Sequence, residues 1–119
     1  MSAMLRLKPL QLLIVEDSPQ DAELMVLELR RAGFDPVWHR VDDETAYLEA
    51  LRPEIEIILS DYQMPQFNAL RALELLKRRE LDIPFLIVSG RIGEDTAVEA
   101  MRKGATDYLL KDRLTRLGP

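Results

Sequence analysis

The distribution of hydrophobic and polar positions along the chain predicts an alternation of strands and helices. Five short runs are mostly apolar and rich in β-branched or aromatic residues: 10–15, 36–41, 55–60, 84–89 and 107–110. Between them lie four stretches with apolar residues every three or four positions, the spacing of one helix face: 19–32, 43–52, 68–79 and 94–103. Strands separated by helices need crossover connections, so we expect one parallel sheet with helices on both faces.

The ends and faces of these helices can also be predicted. Gly33 and Gly104 follow the first and fourth helices, Pro53 follows the second, and Asp42 is the expected N-cap of the second. The apolar positions predicted to face the sheet are Ala22, Met25, Val26 and Leu29 in the first helix, Ala69, Ala72, Leu73 and Leu76 in the third, and Ala97, Val98 and Met101 in the fourth. These three helices are therefore expected to be amphipathic.

The strands differ in how deeply they are expected to be buried. Residues 12–15 and 85–88 are continuously apolar, which is typical of central strands covered on both faces. The run 36–41 contains Trp38, His39 and Arg40, which favours an edge strand. Residues 1–9 are predicted to form an N-terminal tail.

Composition narrows the classes of function. The chain has 119 residues, the usual length of one domain, and its 16 Lys and Arg against 21 Asp and Glu give a net charge of -5. That balance argues against binding nucleic acid or an anionic membrane through a basic face. The absence of cysteine excludes disulfides, thiolate metal sites and thiol nucleophiles, and a single histidine disfavours a Ser-His-Asp triad. No apolar run is long enough for a membrane helix, so we expect a cytoplasmic protein.

Candidate chemistry collects where the predicted strands end. Glu16 and Asp17 follow the first run, Asp61 the third, Ser89 closes the fourth, and Lys111 follows the fifth. Because the carboxyl ends of parallel strands share one edge of the sheet, these side chains are expected to lie close together.

Three carboxylates at one edge repel each other unless a cation lies between them, and Mg²⁺ prefers such oxygen ligands. With Lys111 nearby, a bound cation would make a receptacle for a phosphoryl group, and Asp61 is the candidate nucleophile. Taken singly, the aspartates could be helix caps, Ser89 a turn residue and Lys111 a solvated charge. Their occurrence at successive strand ends favours one site.

Four segments carry a family resemblance. Val-Glu-Asp-Ser at 15–18, Ser-Asp-Tyr-Gln-Met-Pro at 60–65, Val-Ser-Gly at 88–90 and Asp-Tyr-Leu-Leu-Lys at 107–111 resemble a CheY-like receiver domain of two-component response regulators. The resemblance implies a flavodoxin-like (βα)₅ fold in the α/β class, with strand order 2-1-3-4-5. It also implies a single receiver domain over residues 1–119. The segments 82–85, 92–98 and 111–119 resemble those of receivers in hybrid sensor kinases or cyclic-di-GMP signalling proteins. The short final helix indicates a chain excised from a longer protein after Pro119, and a stand-alone receiver is the alternative.

The resemblance assigns a phosphorylation site. Asp61 is implied as the acceptor of a phosphoryl group from the phosphohistidine of a histidine kinase or phosphotransfer protein. Asp17 and Asp61 are implied as direct Mg²⁺ ligands, together with the backbone carbonyl of Gln63, and Glu16 as a ligand through water. The family often has aspartate where this chain has Glu16.

The resemblance also implies a switch. Lys111 would pair with Asp61 and then with the phosphoryl oxygens, Ser89 would move toward the phosphoryl group, and the ring of Tyr108 would follow. The surface expected to change lies around residues 94–117. Asp112 occupies a position where the family usually has proline, and it is expected to cap a short final helix over 112–117.

The implied protein is a signalling domain that catalyses only its own phosphorylation and dephosphorylation, with a kinase partner and a covalently linked output domain. A homodimer is an arrangement that the resemblance allows.

A Mg²⁺-dependent phosphohydrolase of the haloacid-dehalogenase type is a weaker alternative, because Glu16-Asp17-Ser18 replaces its Asp-x-Asp motif. A nucleotide- or flavin-binding fold is disfavoured by Pro19, which lacks an N–H donor for phosphate. A receiver that is never phosphorylated is the remaining alternative.

Overall fold

The chain forms one parallel sheet with helices on both sides. The computed structural model describes residues 7–62, 64–90 and 94–110. Within these ranges the elements are β1 (Lys8–Val15), α1 (Pro19–Arg31), β2 (Phe34–Val41), α2 (Glu44–Ala50), β3 (Ile57–Asp61), α3 (Ala69–Arg78), β4 (Phe85–Ser89), α4 (Glu94–Arg102) and β5 (Asp107–Leu110). The strand order is β2-β1-β3-β4-β5 and every pairing is parallel, which confirms the predicted fold class. None of the described helices is long and apolar enough to cross a membrane.

The central and edge strands are those that the sequence predicts. Residues 12–15 of β1 and 85–88 of β4 are buried, whereas β2 is an edge strand with exposed Val37 and His39. The tail prediction is wrong in part, because β1 begins at Lys8 and pairs with β2 from there, so that Lys8 and Pro9 belong to the sheet. β1 starts earlier than predicted because its partner β2 already begins at Phe34, directly after the turn that ends α1. Lys8 and Pro9 therefore have a neighbouring strand to pair with.

The helices divide between the two faces of the sheet. The predicted stripe of α1 is buried against β1, β3, β4 and β5 on one face. On the other face, Tyr47 of α2, the predicted stripe of α3 and Ala100 of α4 share a second buried cluster with the sheet. The periodic patterns of α1 and α3 therefore predicted their buried sides correctly.

The predicted buried face of α4 is wrong. Val98 and Met101 are 53% and 45% exposed, whereas Ala100 is 0% exposed and Ala97 only partly buried. Two overlapping apolar stripes are possible in this nine-residue helix. One consists of Ala97, Val98 and Met101, and the other of Ala97 and Ala100. The methyl side chain of Ala100 lets the helix approach the sheet more closely than a valine or methionine would, so the stripe with less apolar area faces inward.

The N-cap of α2 is Asp43, not the predicted Asp42. The Asp43 carboxylate accepts a hydrogen bond from the Ala46 N–H at 2.8 Å, and its φ of -138° is the extended conformation of an N-cap. Asp42 instead lies 3.5 Å from the Arg40 guanidinium. The other end of α2 also differs from the prediction, because the helix stops at Ala50, ahead of Pro53.

Glycine ends α1 and α4 as predicted. Gly33 and Gly104 have φ values of 100° and 104°, in the left-handed region that favours glycine. The Lys77 side chain lies directly over Gly104, where a β-carbon would meet its ammonium nitrogen.

Basic residues occupy the last turns of α3 and α4, where the helix dipole favours positive charge. Lys77, Arg78 and Arg102 lie there, and Lys103 follows directly; all four are exposed. Because each helix runs back from the carboxyl edge of the sheet, these cations lie toward its amino edge.

Candidate functional site

Three carboxylates meet at the carboxyl edge of the sheet. Glu16 and Asp17 directly follow β1, and Asp61 is the last residue of β3. Because β1 and β3 are neighbours, with Val15 opposite Ser60, the two strands end side by side. One carboxylate oxygen from each of the three residues lies within 4.8 Å of the other two. The structure thus brings together the three acidic residues that the sequence singled out.

The position of β1 explains why the site forms here. The chain crosses from β1 to β2 on one side, and β3 then pairs on the other side of β1. Connections that leave a strand in opposite directions open a crevice at the carboxyl edge, which is where parallel α/β sheets bind ligands.

Backbone contacts hold the segment after β1 in place. The Glu16 N–H donates to the carbonyl of Val41 at 2.9 Å, and the Arg40 guanidinium donates to the Glu16 carbonyl at 3.1 Å. The Glu16 carboxylate accepts the Ser18 N–H at 3.1 Å, and the Ser18 hydroxyl in turn accepts the Asp21 N–H at 3.2 Å as the N-cap of α1. Strand, turn and helix start are therefore linked through Glu16 and Ser18.

Burial differs among the three carboxylates. Glu16 is 1% exposed, Asp61 is half-buried and Asp17 is exposed. Asp61 Oδ1 accepts the Tyr62 N–H at 2.9 Å, and the Ser60 hydroxyl donates to the Asp61 carbonyl at 2.9 Å. An exposed and a half-buried carboxylate beside a buried one leave the cluster open to solvent, so an ion can reach it.

The donor set fits a hard divalent cation. Three carboxylates within 4.8 Å repel each other, and a cation among them converts that repulsion into attraction. Oxygen atoms on opposite sides of Mg²⁺ lie about 4 Å apart, and the ion usually keeps several waters. The spacing accordingly suits one cation bound among the three carboxylates.

The other predicted site residues fall into two groups. The first group lies within the described residues. Ser89 is half-buried at the end of β4, one residue after Val88, which pairs with Asp61 of β3. Tyr108 is buried in β5. Gln63 and Lys111 lie outside the described residues. The roles of all seven predicted residues stay predictions.

Sequence reasoning missed Tyr62. Its ring is half-buried and tilted by 51° against the ring of Tyr108, with 6.2 Å between their centroids. An aromatic residue directly after the candidate nucleophile could have drawn attention to this position, but its contact with β5 depends on the folded chain.

Comparison with known proteins supports the same family. The model of the family described as "Response regulator receiver domain" matches residues 12–117. The phosphate regulon transcriptional regulatory protein PhoB of Klebsiella pneumoniae is 32% identical over 103 residues, which cover 85% of this chain and 44% of that protein. The chain therefore spans less than half the length of this relative.

Solved structures share the fold. The receiver domain of the putative response regulator NarL from Mycobacterium tuberculosis has a TM-score of 0.78 at 23% identity, covering 92% of this chain and 93% of that one. A response regulator from Burkholderia pseudomallei, solved with a phosphorylated aspartic acid, calcium and citrate, has a TM-score of 0.74 at 23% identity, covering 91% and 63%. Phosphorylation on aspartate is the general function of this family, and its members bind Mg²⁺ at an acidic pocket. The predicted resemblance is confirmed: the chain belongs to the receiver-domain family of two-component response regulators.

Proposed function

We propose that Asp61 accepts a phosphoryl group in the presence of Mg²⁺ and that this modification switches an interaction surface of the domain. The observation that carries the proposal is the cluster of Glu16, Asp17 and Asp61 carboxylates within 4.8 Å at the carboxyl edge of the sheet. Asp61 is the member that is half-buried at a strand end, where both a cation and a phosphoryl donor can reach it.

Asp17 and Asp61 are the proposed direct ligands of the metal, with the backbone carbonyl of Gln63 as a third and Glu16 acting through water. The near-complete burial of Glu16 and its bond to the Ser18 N–H suit this less direct role. When bound, the ion would supply positive charge beside the phosphoryl oxygens.

The proposed reaction is a transfer of the phosphoryl group to oxygen. A carboxylate oxygen of Asp61 attacks phosphorus, an O–P bond forms and the P–N bond to the donor histidine breaks. The electron pair of that bond stays on the ring nitrogen, and a ring protonated at its other nitrogen leaves as neutral imidazole. With acetyl phosphate as donor, a P–O bond breaks instead and acetate leaves with the electron pair.

The response to phosphorylation is assigned to Lys111, Ser89 and Tyr108. Lys111 would pair with Asp61 and later with the phosphoryl oxygens, and the Ser89 hydroxyl would move toward them. Ser89 and Tyr108 lie on the neighbouring strands β4 and β5, next in the sheet after the strand that ends at Asp61, which supports this order of events.

The proposed partners are a histidine kinase or phosphotransfer protein and a covalently linked output domain. The output domain is proposed by analogy with PhoB, which is described as a transcriptional regulatory protein and of which the match covers 44%. We further propose that residues 1–119 form a single receiver domain and that this domain contacts neither nucleic acid nor a membrane. Its proposed location is the cytoplasm. A homodimer stays a prediction.

The test is intact mass spectrometry after incubation with acetyl phosphate. One phosphoryl adduct is expected with Mg²⁺, and none once the metal has been chelated, because the three carboxylates repel an anionic donor. An adduct that forms equally without divalent metal would contradict the proposed role of the carboxylate cluster. A chain that binds Mg²⁺ but forms no adduct would instead be a receiver used without phosphorylation.

The metal assignment predicts a specific loss in Asp17→Asn. Loss of an outer-shell partner typically costs about 10–100-fold in metal affinity, so loss of a direct carboxylate ligand should weaken Mg²⁺ binding by about tenfold or more. Isothermal titration calorimetry measures this directly. Asp82→Asn is the matched control, because it makes the same charge change at an exposed position before β4, at the opposite edge of the sheet. Equal affinities in the two variants would remove Asp17 from the ligand set.

A further inference from the structure

The backbone of Tyr62 links the phosphorylation site to the start of α3. Its N–H donates to Asp61 Oδ1 at 2.9 Å, and its carbonyl accepts the N–H of Ala69, the first residue of α3, at 2.9 Å. The peptide group before Tyr62 is therefore held by the Asp61 carboxylate, and the peptide group after it is held by the first residue of α3. A displacement of Tyr62 would change both contacts.

The side chain of Tyr62 makes a third contact in another direction. Its ring packs against the ring of Tyr108 with 6.2 Å between centroids, inside the range of favourable tilted aromatic pairs. Tyr108 is 9% exposed and lies opposite Ile87 of β4. Tyr62 thus contacts β5 directly from the residue after Asp61, without passing through Ser89.

The contact with Asp61 depends on the charge of its carboxylate. Hydrogen bonds to an ionised acceptor are roughly twice as strong as those between neutral groups. If Asp61 becomes an acyl phosphate, its remaining carbonyl oxygen no longer shares the carboxylate charge, and an oxygen bonded to phosphorus is a poorer acceptor still. The bond from the Tyr62 N–H therefore weakens whichever oxygen is modified.

The start of α3 is tied to other parts of the fold. The Asn68 side chain caps the helix by accepting the Arg71 N–H at 2.9 Å. The Arg71 guanidinium bonds both carboxylate oxygens of Glu44 at the start of α2, at 2.9 and 3.2 Å. These bonds lower the pKa of the Glu44 carboxyl, which keeps it charged. A shift of Ala69 would consequently change the contacts of the first turns of both α2 and α3.

We propose that Tyr62 is a positioning residue that couples the state of Asp61 to Tyr108 through its ring and to the start of α3 through its backbone. This inference rests on the proposed phosphorylation of Asp61. It adds a route from the acceptor to β5 that is separate from the one assigned to Ser89. The alternative is that Tyr62 only fills space beside the core, and then its ring could be removed without changing how Tyr108 responds.

The experiment compares amide chemical shifts in the ¹⁵N-labelled 119-residue chain before and after addition of Mg²⁺ and beryllofluoride, a stable mimic of a phosphoryl group on a carboxylate. In the wild-type chain the amides of Tyr62, Ala69 and Tyr108 are expected to shift. In Tyr62→Ala the shift at Tyr108 should fall at least twofold, while that at Ala69 persists because the backbone contacts remain. Tyr62→Phe keeps the ring and should restore the Tyr108 response.

Acetyl phosphate labelling of the same variants separates the possible failures. Tyr62→Ala should still form the adduct, because Tyr62 supplies no atom to the reaction. An undiminished Tyr108 shift in that variant, beside normal labelling, overturns the coupling and leaves the proposed function intact. No adduct in the wild-type chain overturns the proposed function itself. If Tyr62→Ala does not fold by circular dichroism, Tyr62→Leu carries the same expectations, since leucine fills space without an aromatic ring.

Discussion

Asp61→Asn is expected to abolish the Mg²⁺-dependent phosphoryl adduct and to leave the fold intact. The asparagine amide is nearly the same size as the carboxylate and its oxygen can still accept the Tyr62 N–H, but it is not a nucleophile at neutral pH. Intact mass spectrometry after incubation with acetyl phosphate measures the loss. A base-labile adduct of the same mass in the variant would move the acceptor to another residue.

The same substitution should not destabilise the domain in the absence of metal. Removing one of three carboxylates that lie within 4.8 Å relieves part of their repulsion. This relief offsets the loss of the proposed pairing with Lys111, so thermal unfolding with a chelator present is expected to give a Tm close to that of the wild-type chain. This control separates a lost acceptor from a lost fold.

Tyr47→Ala is expected to cost about 3–5 kcal/mol of folding free energy, as large-to-small substitutions of buried aromatic residues do. Tyr47 is 0% exposed, its ring lies 5.3 Å from that of Phe67, and its hydroxyl donates to the Ala72 carbonyl at 2.7 Å. It thereby joins α2 to α3. Urea unfolding measures the change, and a loss below about 1 kcal/mol would show that the surrounding core closes the cavity.

Tyr47→Phe is the matched control, since it removes only the hydroxyl and should cost about 1 kcal/mol. Burial raises the pKa of the Tyr47 hydroxyl well above its usual range. Its folded-state pKa exceeds that of an unfolded tyrosine, about 10, so the stability it contributes is complete below pH 10 and lost as the pH rises further. Unfolding free energies should therefore fall less steeply above pH 10 in Tyr47→Phe than in the wild-type chain.

The strands and two of the helix faces could be predicted from sequence because their patterns leave one solution. Residues 12–15 are apolar without interruption, and α3 places Ala69, Ala72, Leu73 and Leu76 on a single stripe, all of them buried. In α4 the pattern allows two stripes, and close packing at Ala100 decides between them. Asp42 and Asp43 are both good caps by type, so only backbone conformation and the position of Arg40 separate them.

The carboxylate cluster was predictable because strand direction alone brings Glu16, Asp17 and Asp61 to one edge. Tyr62 was not, because no periodicity relates it to Tyr108, which lies 46 positions further along the chain. Contacts between a loop residue and a distant strand depend on how the loop turns. Pro65 marks a turn in this loop, but it does not determine which distant side chain Tyr62 contacts.

Among the described residues, the basic ends of α3 and α4 are well separated from the three carboxylates. Lys77, Arg78, Arg102 and Lys103 are exposed toward the amino edge, whereas the carboxyl edge holds the acidic cluster. Small phosphorylated metabolites are anions, and without a cation they meet a repulsive potential at the acidic edge. If Asp61 is the acceptor, as proposed, this potential favours an order of encounter in which the cation binds before the phosphoryl donor.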